Sequence, residues 1–343
     1  MQKKKLKDYF QEYIMVLVLI LVLVVFEILG YTMANRNFFD ISNLTTLISQ
    51  KAYLVIVGVG ITFIMLGGAM DLSTGYLLST VGMVMALIDG NAKGGGTFFL
   101  ITFAAGVILA ILLSAFNGVM YSWLAVFPFI ITLGSQYLFQ GATYLLTGGQ
   151  SKVFSKLDPA FKAFGGTPIV SSLRTSVIVM IIMVAIGSFI LNKTHFGRNV
   201  YALGSNPDAV ALSGVSVAKM RIAVFALAGL FFGIAQIVNI GMKNGSVQQS
   251  FGVGDEFTVM AGAMLGGVKM GGGGGKISNM VVGVYLIGVL QYGMNYLNFN
   301  QYWIYVVLGI VLLAAISLDT MQTRAAINAA KKVSGKPPKE AAA

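Results

Sequence analysis

The sequence predicts an all-α, polytopic membrane protein with about ten transmembrane helices, some of them broken or re-entrant, and both termini in the cytoplasm. Three observations predict it. Apolar residues make up 57% of the chain and charged ones only 10%, a balance too hydrophobic for a soluble domain. Apolar runs recur along its length, several of them near the roughly 20 residues that a helix needs to cross a bilayer core. The 42 glycines among 343 residues are more than an ordinary core uses, and they cluster where apolar runs break.

Residues 1–12 form a basic tail with Lys3, Lys4, Lys5 and Lys7 ahead of an unbroken run from Tyr13 to Met33. A cleaved signal peptide would carry a shorter run and a small-residue cleavage site. Glu27-Ile-Leu-Gly-Tyr31 has neither, so a retained anchor is expected. Further spans follow at Ala52–Gly68, Tyr76–Ile88, Thr97–Phe116, Leu124–Leu146, Ser176–Leu191, Ile222–Ile240, Phe257–Val268, Ile277–Tyr296 and Tyr302–Leu318. Three are short for a full crossing and are open to tilting, breaking or re-entry. The membrane domain is thus 13–318, and 319–343 is a polar cytoplasmic tail expected to be disordered.

An even number of crossings puts both termini on one side. Of the 23 Lys and Arg residues, fifteen fall on the proposed inner segments: the four at the N-terminus, then Lys193, Arg198, Lys219, Arg221, Lys269, Lys276, Arg324, Lys331, Lys332, Lys336 and Lys339. The outer segments hold the other eight: Arg36, Lys51, Lys93, Lys152, Lys156, Lys162, Arg174 and Lys243. This asymmetry follows the positive-inside rule. It assigns the net charge of +11 to lipid and topology rather than to nucleic acid. Cysteine is absent, which removes disulfides, thiolate metal sites and thiol nucleophiles.

The longest polar interruption, Asn192 to Arg221, is punctuated like a short isolated helix. Asn206 caps it, Pro207 takes the first helical position, Asp208 sits at the positive dipole end, and Gly214 supplies a left-handed exit. Two turns are too few to be stable alone. The small apolar face of Ala209, Val210 and Leu212 therefore calls for a surface to lean on. An ordinary surface turn is the alternative.

Met65-Leu66-Gly67-Gly68 is echoed by Met264-Leu265-Gly266-Gly267. Paired glycine breaks in two halves point to a transport pathway, because unwound backbone at membrane depth must line a cavity or be buried in protein. Close helix packing through small residues explains the same glycines. After the first break stand Asp71 and Ser73. A carboxylate at mid-span costs about 2.5 to 3.5 kcal/mol on insertion scales, so Asp71 should be buried and bonded. It is read as a helix cap, as a residue positioning Ser73 and backbone groups on the path, or as both. Thr132, Gln136 and Gln140 recur every four residues along one helical face. Such a neutral stripe serves either a hydroxyl-rich solute or hydrogen bonds between helices.

GGGGGK, Gly271 to Lys276, is not a phosphate loop. That pattern needs Gly where Met270 stands and Ser or Thr where Ile277 stands. With one histidine, His195, no HExxH, no GxSxG and no carboxylate pair within a span, the sequence argues against a membrane hydrolase or transferase and no metal site is expected. A secondary transporter would need an ionisable residue near the midplane, for which Asp71 is the deepest candidate.

Four blocks, in order, resemble the permease subunits of bacterial ABC importers for simple sugars, of the ribose, galactose, arabinose and xylose type. They are Leu66–Gly75, Phe127–Gln150, the Phe196-Gly197-Arg198 run with Asn206, Pro207, Ala209, Gly214 and Val215, and Asp255–Gly267. The resemblance implies that 192–221 is a coupling segment docking on an ATPase subunit through Asn206, Pro207, Asp208, Ala209, Ser213 and Gly214. It implies a translocation path near Gly67, Gly68, Asp71, Ser73, Thr132, Gln136, Gln140, Gly266 and Gly267. Its other implied partners are an extracytoplasmic sugar-binding protein, a second permease copy or close paralogue, and a monosaccharide substrate. The chain itself would carry no cofactor, ATP-Mg belonging to the ATPase. The loop from Thr147 to Thr175 would then be a docking platform, with Lys152, Lys156 and Lys162 meeting an acidic rim, or simply a solvated loop. The sequence departs from the family at Lys269, in the long glycine run and at Thr258. Related permeases carry branched-chain amino acids, nucleosides or autoinducers.

Overall fold

The computed structural model describes residues 6–90, 96–124, 126–154 and 159–334; Lys156 and the lysines at 3–5, 93, 336 and 339 lie outside them. In chain order the helices are α1 (Leu6–Ala34), α2 (Ile41–Leu66), α3 (Thr74–Gly90), α4 (Gly96–Leu124), α5 (Pro128–Thr147), α6 (Pro159–Gly165), α7 (Ser176–Lys193), α8 (His195–Ser205), α9 (Pro207–Leu212), α10 (Val217–Met242), α11 (Asp255–Leu265), α12 (Ile277–Tyr296) and α13 (Gln301–Ser334). All but α6, α8 and α9 fall on the ten expected spans. Two ends differ from expectation. Helix α2 begins well before Ala52, because the Asp40 side chain accepts the Ser42 N–H at 2.9 Å and starts it early. Helix α13 continues past Leu318 to Ser334, into the segment read as tail.

Among the described residues, six helices are long and apolar enough to cross a membrane: those in α1, α2, α4, α7, α10 and α12. Helices α3 and α13 contribute shorter apolar segments, Thr74–Ile88 and Gln301–Ser317. Helix α11 has 11 residues, about 16 Å of rise, roughly half of a bilayer core. It is one of the broken elements that the sequence predicts.

Helices α2 and α10 form the centre. From Leu54 to Leu66 every residue of α2 is buried, and α10 is buried over most of its length. Helices α1, α4, α5, α7 and α13 surround them and turn large apolar side chains outward, among them Leu21, Leu112, Leu145, Ile181 and Leu313. An outward apolar belt of this kind is suited to lipid or to a partner chain. Antiparallel strand pairs tie the loops at one end. Strand β1 (Lys152–Val153) pairs with β4 (Ser246–Val247), and β2 (Pro168–Val170) with β3 (Leu173–Arg174). Beside them α6 buries Phe161 among Phe99 and Phe154.

The α4–α10 contact depends on absent side chains. A Cβ at Gly229 would stand 2.6 Å from the Ala110 carbonyl oxygen and 2.7 Å from the Ile111 Cα, whereas one at Gly106 would meet the flexible Met85 side chain. Backbone cannot retreat as a methionine can. Gly229→Val is therefore expected to destabilise the purified protein by about 1 to 3 kcal/mol, the usual cost of overpacking. Gly106→Ala should cost less, with thermal unfolding in detergent as the measurement.

Candidate translocation path and coupling surface

Residues 194–215 fold as two short helices. Thr194 caps α8, its hydroxyl accepting the Gly197 N–H at 3.2 Å. Asn206 ends α8 and caps α9, its side-chain oxygen accepting the Ala209 N–H at 3.1 Å. Pro207 opens α9, Asp208 lies in its first turn, Ser213 closes it, and Gly214 follows with φ +83°. Every local feature expected of this segment is present. Of the apolar face, Val210 is buried and anchors the helix, while Leu212 is 90% exposed. Asn206, Pro207, Asp208, Ala209, Ser213 and Gly214 are exposed as well, so α9 presents one continuous outward surface.

The two Met-Leu-Gly-Gly echoes are built alike. At Gly68 and Gly267 φ is +82° and +80°. The Ala69 N–H donates to the Ile64 carbonyl at 3.1 Å and the Gly68 N–H to Met65 at 2.9 Å. The Val268 N–H donates to Ala263 at 2.9 Å and the Gly267 N–H to Met264 at 2.8 Å. Both are Schellman caps, in which a left-handed glycine lets the last carbonyls of the helix find donors. These glycines thus end α2 and α11, and the break in the apolar run is a satisfied helix terminus.

The glycine run joins these ends to the coupling segment. The Gly273 N–H donates to the Leu66 carbonyl at 2.9 Å, and Lys269 N–H to the Gly274 carbonyl at 2.8 Å. The Tyr201 hydroxyl on α8 donates to the Gly275 carbonyl at 2.8 Å. A Cβ at Gly204, the penultimate residue of α8, would lie 1.9 Å from the Leu66 oxygen and 2.6 Å from the Gly273 nitrogen. One at Gly272 would lie 2.7 Å from the Gly204 Cα and 2.8 Å from the Gly68 Cα. Three stretches of bare backbone meet here: the end of α2, the α11–α12 loop and α8. Neither Gly204 nor this use of the glycine run is apparent from the sequence, since nothing local says which glycines will touch.

Past the first break, Asp71 is buried, and its Oδ1 accepts the Ser73 N–H at 2.8 Å and the Ser73 hydroxyl at 2.6 Å. That is the capping geometry expected for the start of α3. Asn117 of α4 completes the set, its Nδ2 donating to the Ser73 Oγ at 2.7 Å. Asp71 Oδ2 and Asn117 Oδ1 have no protein partner. The Thr132 hydroxyl accepts the Leu72 N–H at 3.2 Å and donates to the Met70 carbonyl at 3.3 Å, fastening α5 to the break. Asp71, Ser73 and Thr132 are therefore together. Gln136 and Gln140 lie half-buried further along α5.

At the opposite end of the bundle, Lys152 is half-buried in the β1–β4 ribbon and Lys162 is exposed on α6. Asp255 and Glu256 open α11. Glu256 is buried and accepts the Gly254 N–H at 3.0 Å.

Residues 43–316 match the family model described as branched-chain amino acid transport system / permease component. The ribose import permease protein RbsC of Escherichia coli (strain K12) is 34% identical over 286 residues, covering 82% of this chain and 87% of its own length. The D-allose transport system permease protein AlsC of the same strain is 32% identical over 284 residues, covering 83% and 85%. The galactose/methyl galactoside import permease protein MglC is 28% identical over 341 residues, covering 94% and 98%. No solved structure matches the chain. A bundle with at least six membrane-length helices and a family match across most of its length lead to one assignment: this chain belongs to the family of transport-system permease components, and is a multi-pass membrane protein rather than a catalytic subunit.

Proposed function

We propose that the chain is the transmembrane subunit of an ATP-driven importer in the bacterial cytoplasmic membrane. It passes a monosaccharide, pentose or hexose, from an extracytoplasmic binding protein to the cytoplasm. The observation that carries this reading is the capped, exposed helix α9, which follows directly on α8, whose Gly204 packs on the end of α2 and on the α11–α12 loop. A segment with that placement fits a surface on which a separate motor pushes. ATP-Mg is held by that partner ATPase, and this chain has no nucleotide site or cofactor of its own. Asn206 and Pro207 set the start of α9, Asp208 and Ser213 meet the motor, and Gly214 sets the exit.

The solute passes between two copies of the chain, or between it and a close paralogue. Gly67, Gly68, Asp71, Ser73, Gly266 and Gly267 shape the cytoplasmic half of the path, and Thr132, Gln136 and Gln140 run along α5 beside it. Lys152, Lys156 and Lys162 receive the acidic rim of the binding protein. The three relatives named above carry sugars in their descriptions, and the neutral polar groups on α5 suit hydroxyls. The family description favours a second reading, a branched-chain amino acid.

Uptake by proteoliposomes separates the two. Labelled pentoses, hexoses and leucine are offered with and without the ATPase, the binding protein and ATP. Sugar uptake that requires all three is the expected result. Leucine uptake supports the second reading, and gradient-driven uptake by this chain alone overturns both.

Two variants test the coupling. Pro207→Gly combined with Gly214→Val should leave membrane insertion intact while uptake falls by about tenfold or more, the kinetic equivalent of about 1.4 kcal/mol, with the ATPase released on co-purification. Gly204→Ala should lose uptake to a similar degree yet still co-purify with the ATPase, because α9 is untouched and only its connection to the helix ends is disturbed.

A further inference from the structure

Lys51, placed by sequence in an outer connection, is in fact ten residues into α2, and its ammonium donates to the Gln291 Oε1 of α12 at 2.6 Å. Near it Asp255, the first residue of α11, accepts the Tyr53 hydroxyl on Oδ2 at 3.0 Å. The Gln291 amide donates to the Thr258 hydroxyl at 3.4 Å. Lys51, Asp255, Thr258 and Gln291 all line one cavity of about 510 Å³ between α2, α11, α12 and α13. Among the described residues no ion pair joins Lys51 to Asp255. An ammonium and a carboxylate brought into protein at such a desolvation cost, but not closed on one another, are a poor structural device. Both keep unused hydrogen-bonding capacity toward the cavity: an ammonium has three donors and a carboxylate two oxygens. The rest of the lining is largely apolar and aromatic, with Phe257, Tyr305 and Leu308.

We propose that this cavity is a contact site for a monosaccharide in transit, an inference that rests on the importer reading above. A sugar hydroxyl both donates and accepts, so it can bridge Asp255 to Lys51, while Gln291 and Thr258 take its neighbours. The ring's C–H face lies on Tyr305 and Phe257. A free cation meets Lys51 and a free anion meets Asp255, so a neutral solute is favoured over either. The site is also connected to the motor. Asp255 and Thr258 stand at one end of α11, and Gly266–Gly267, which lead into the α11–α12 loop that carries the glycine junction, stand at the other. A shift of α11 moves the carboxylate relative to Lys51 and changes the grip on the sugar.

The test uses the full importer in proteoliposomes, comparing uptake of the parent sugar with that of its monodeoxy analogues, for the wild type and for Lys51→Met, Asp255→Asn and Gln291→Leu. Each variant is expected to lower parent uptake about tenfold while transport of at least one deoxy analogue falls much less, so that their ratio moves toward one. Lys51→Arg should retain part of the wild-type ratio, and Arg36→Met, exposed and outside the cavity, should leave it unchanged. An unchanged ratio in all three cavity variants, whether uptake falls or not, means a structural role and overturns the proposal. Where Lys51→Met or Asp255→Asn fails to accumulate in the membrane, Thr258→Val is read in its place by the same ratio. Absence of sugar uptake by the wild type overturns the importer reading and this site together, whereas wild-type sugar uptake with unmoved ratios overturns only the site.

Discussion

The contact on which the rest of this molecule depends is backbone against backbone. Gly204 of α8 meets the Leu66 carbonyl and the Gly272–Gly273 turn with no side chain between them. Side chains hop among rotamers and absorb displacement; a direct main-chain contact does not. On the proposed importer reading, a movement imposed on α9 would pass through this contact to the end of α2 and the α11–α12 loop. It also explains why so many consecutive glycines are present where a shorter turn would connect α11 to α12. The run has to pass between α8 and α2, and a Cβ at Gly272 would strike both Gly204 and Gly68.

Breaking helices inside a membrane is costly unless every freed backbone group finds a partner. Here the freed groups do. The Schellman caps at Gly68 and Gly267 return donors to the last turns of α2 and α11. On the far side of the first break, Asp71 takes the Ser73 N–H and Thr132 takes the Leu72 N–H. Asp71 and Thr132 are thus structural whatever else they do. The unpartnered Asp71 Oδ2 and Asn117 Oδ1 are what the cap leaves over.

The spans and α9 were legible in the sequence because both are governed by local rules. Apolar runs locate ten helices, six of which are of membrane length among the described residues. Asn-Pro-Asp followed by Gly214 identifies a capped pair of turns, and the expected cap bonds are all present. Asp71 was legible as a cap for the same reason, being two residues from its donor. What was not legible was lateral. Whether Lys51 ends a loop or sits inside α2 turns on Asp40 starting that helix early, a weak signal next to an apolar run that begins at Ala52. Gly204, Asn117 and Gln291 matter through partners far away in sequence, and no periodicity reports those. The glycine run was legible only as something it is not.

Helix α11 shows why a half-length element is useful in such a machine. A full span is held at both ends by the bilayer and by its connections, so displacing it disturbs the whole bundle. A helix of about 16 Å has one end, Gly266–Gly267, leading into the loop that touches α8, and the other, Asp255, in the cavity that Lys51 also lines. An energy input drives transport only if the two states it connects differ in their affinity for the solute. A rod that carries a carboxylate past a fixed ammonium on α2 supplies such a difference, since the attraction between charged and polar groups in protein changes steeply with separation. On the proposed mechanism Lys51 would be the fixed member, on the most buried helix of the fold, and Asp255 the moving one, on one of the shortest. That division of labour is what an alternating site requires.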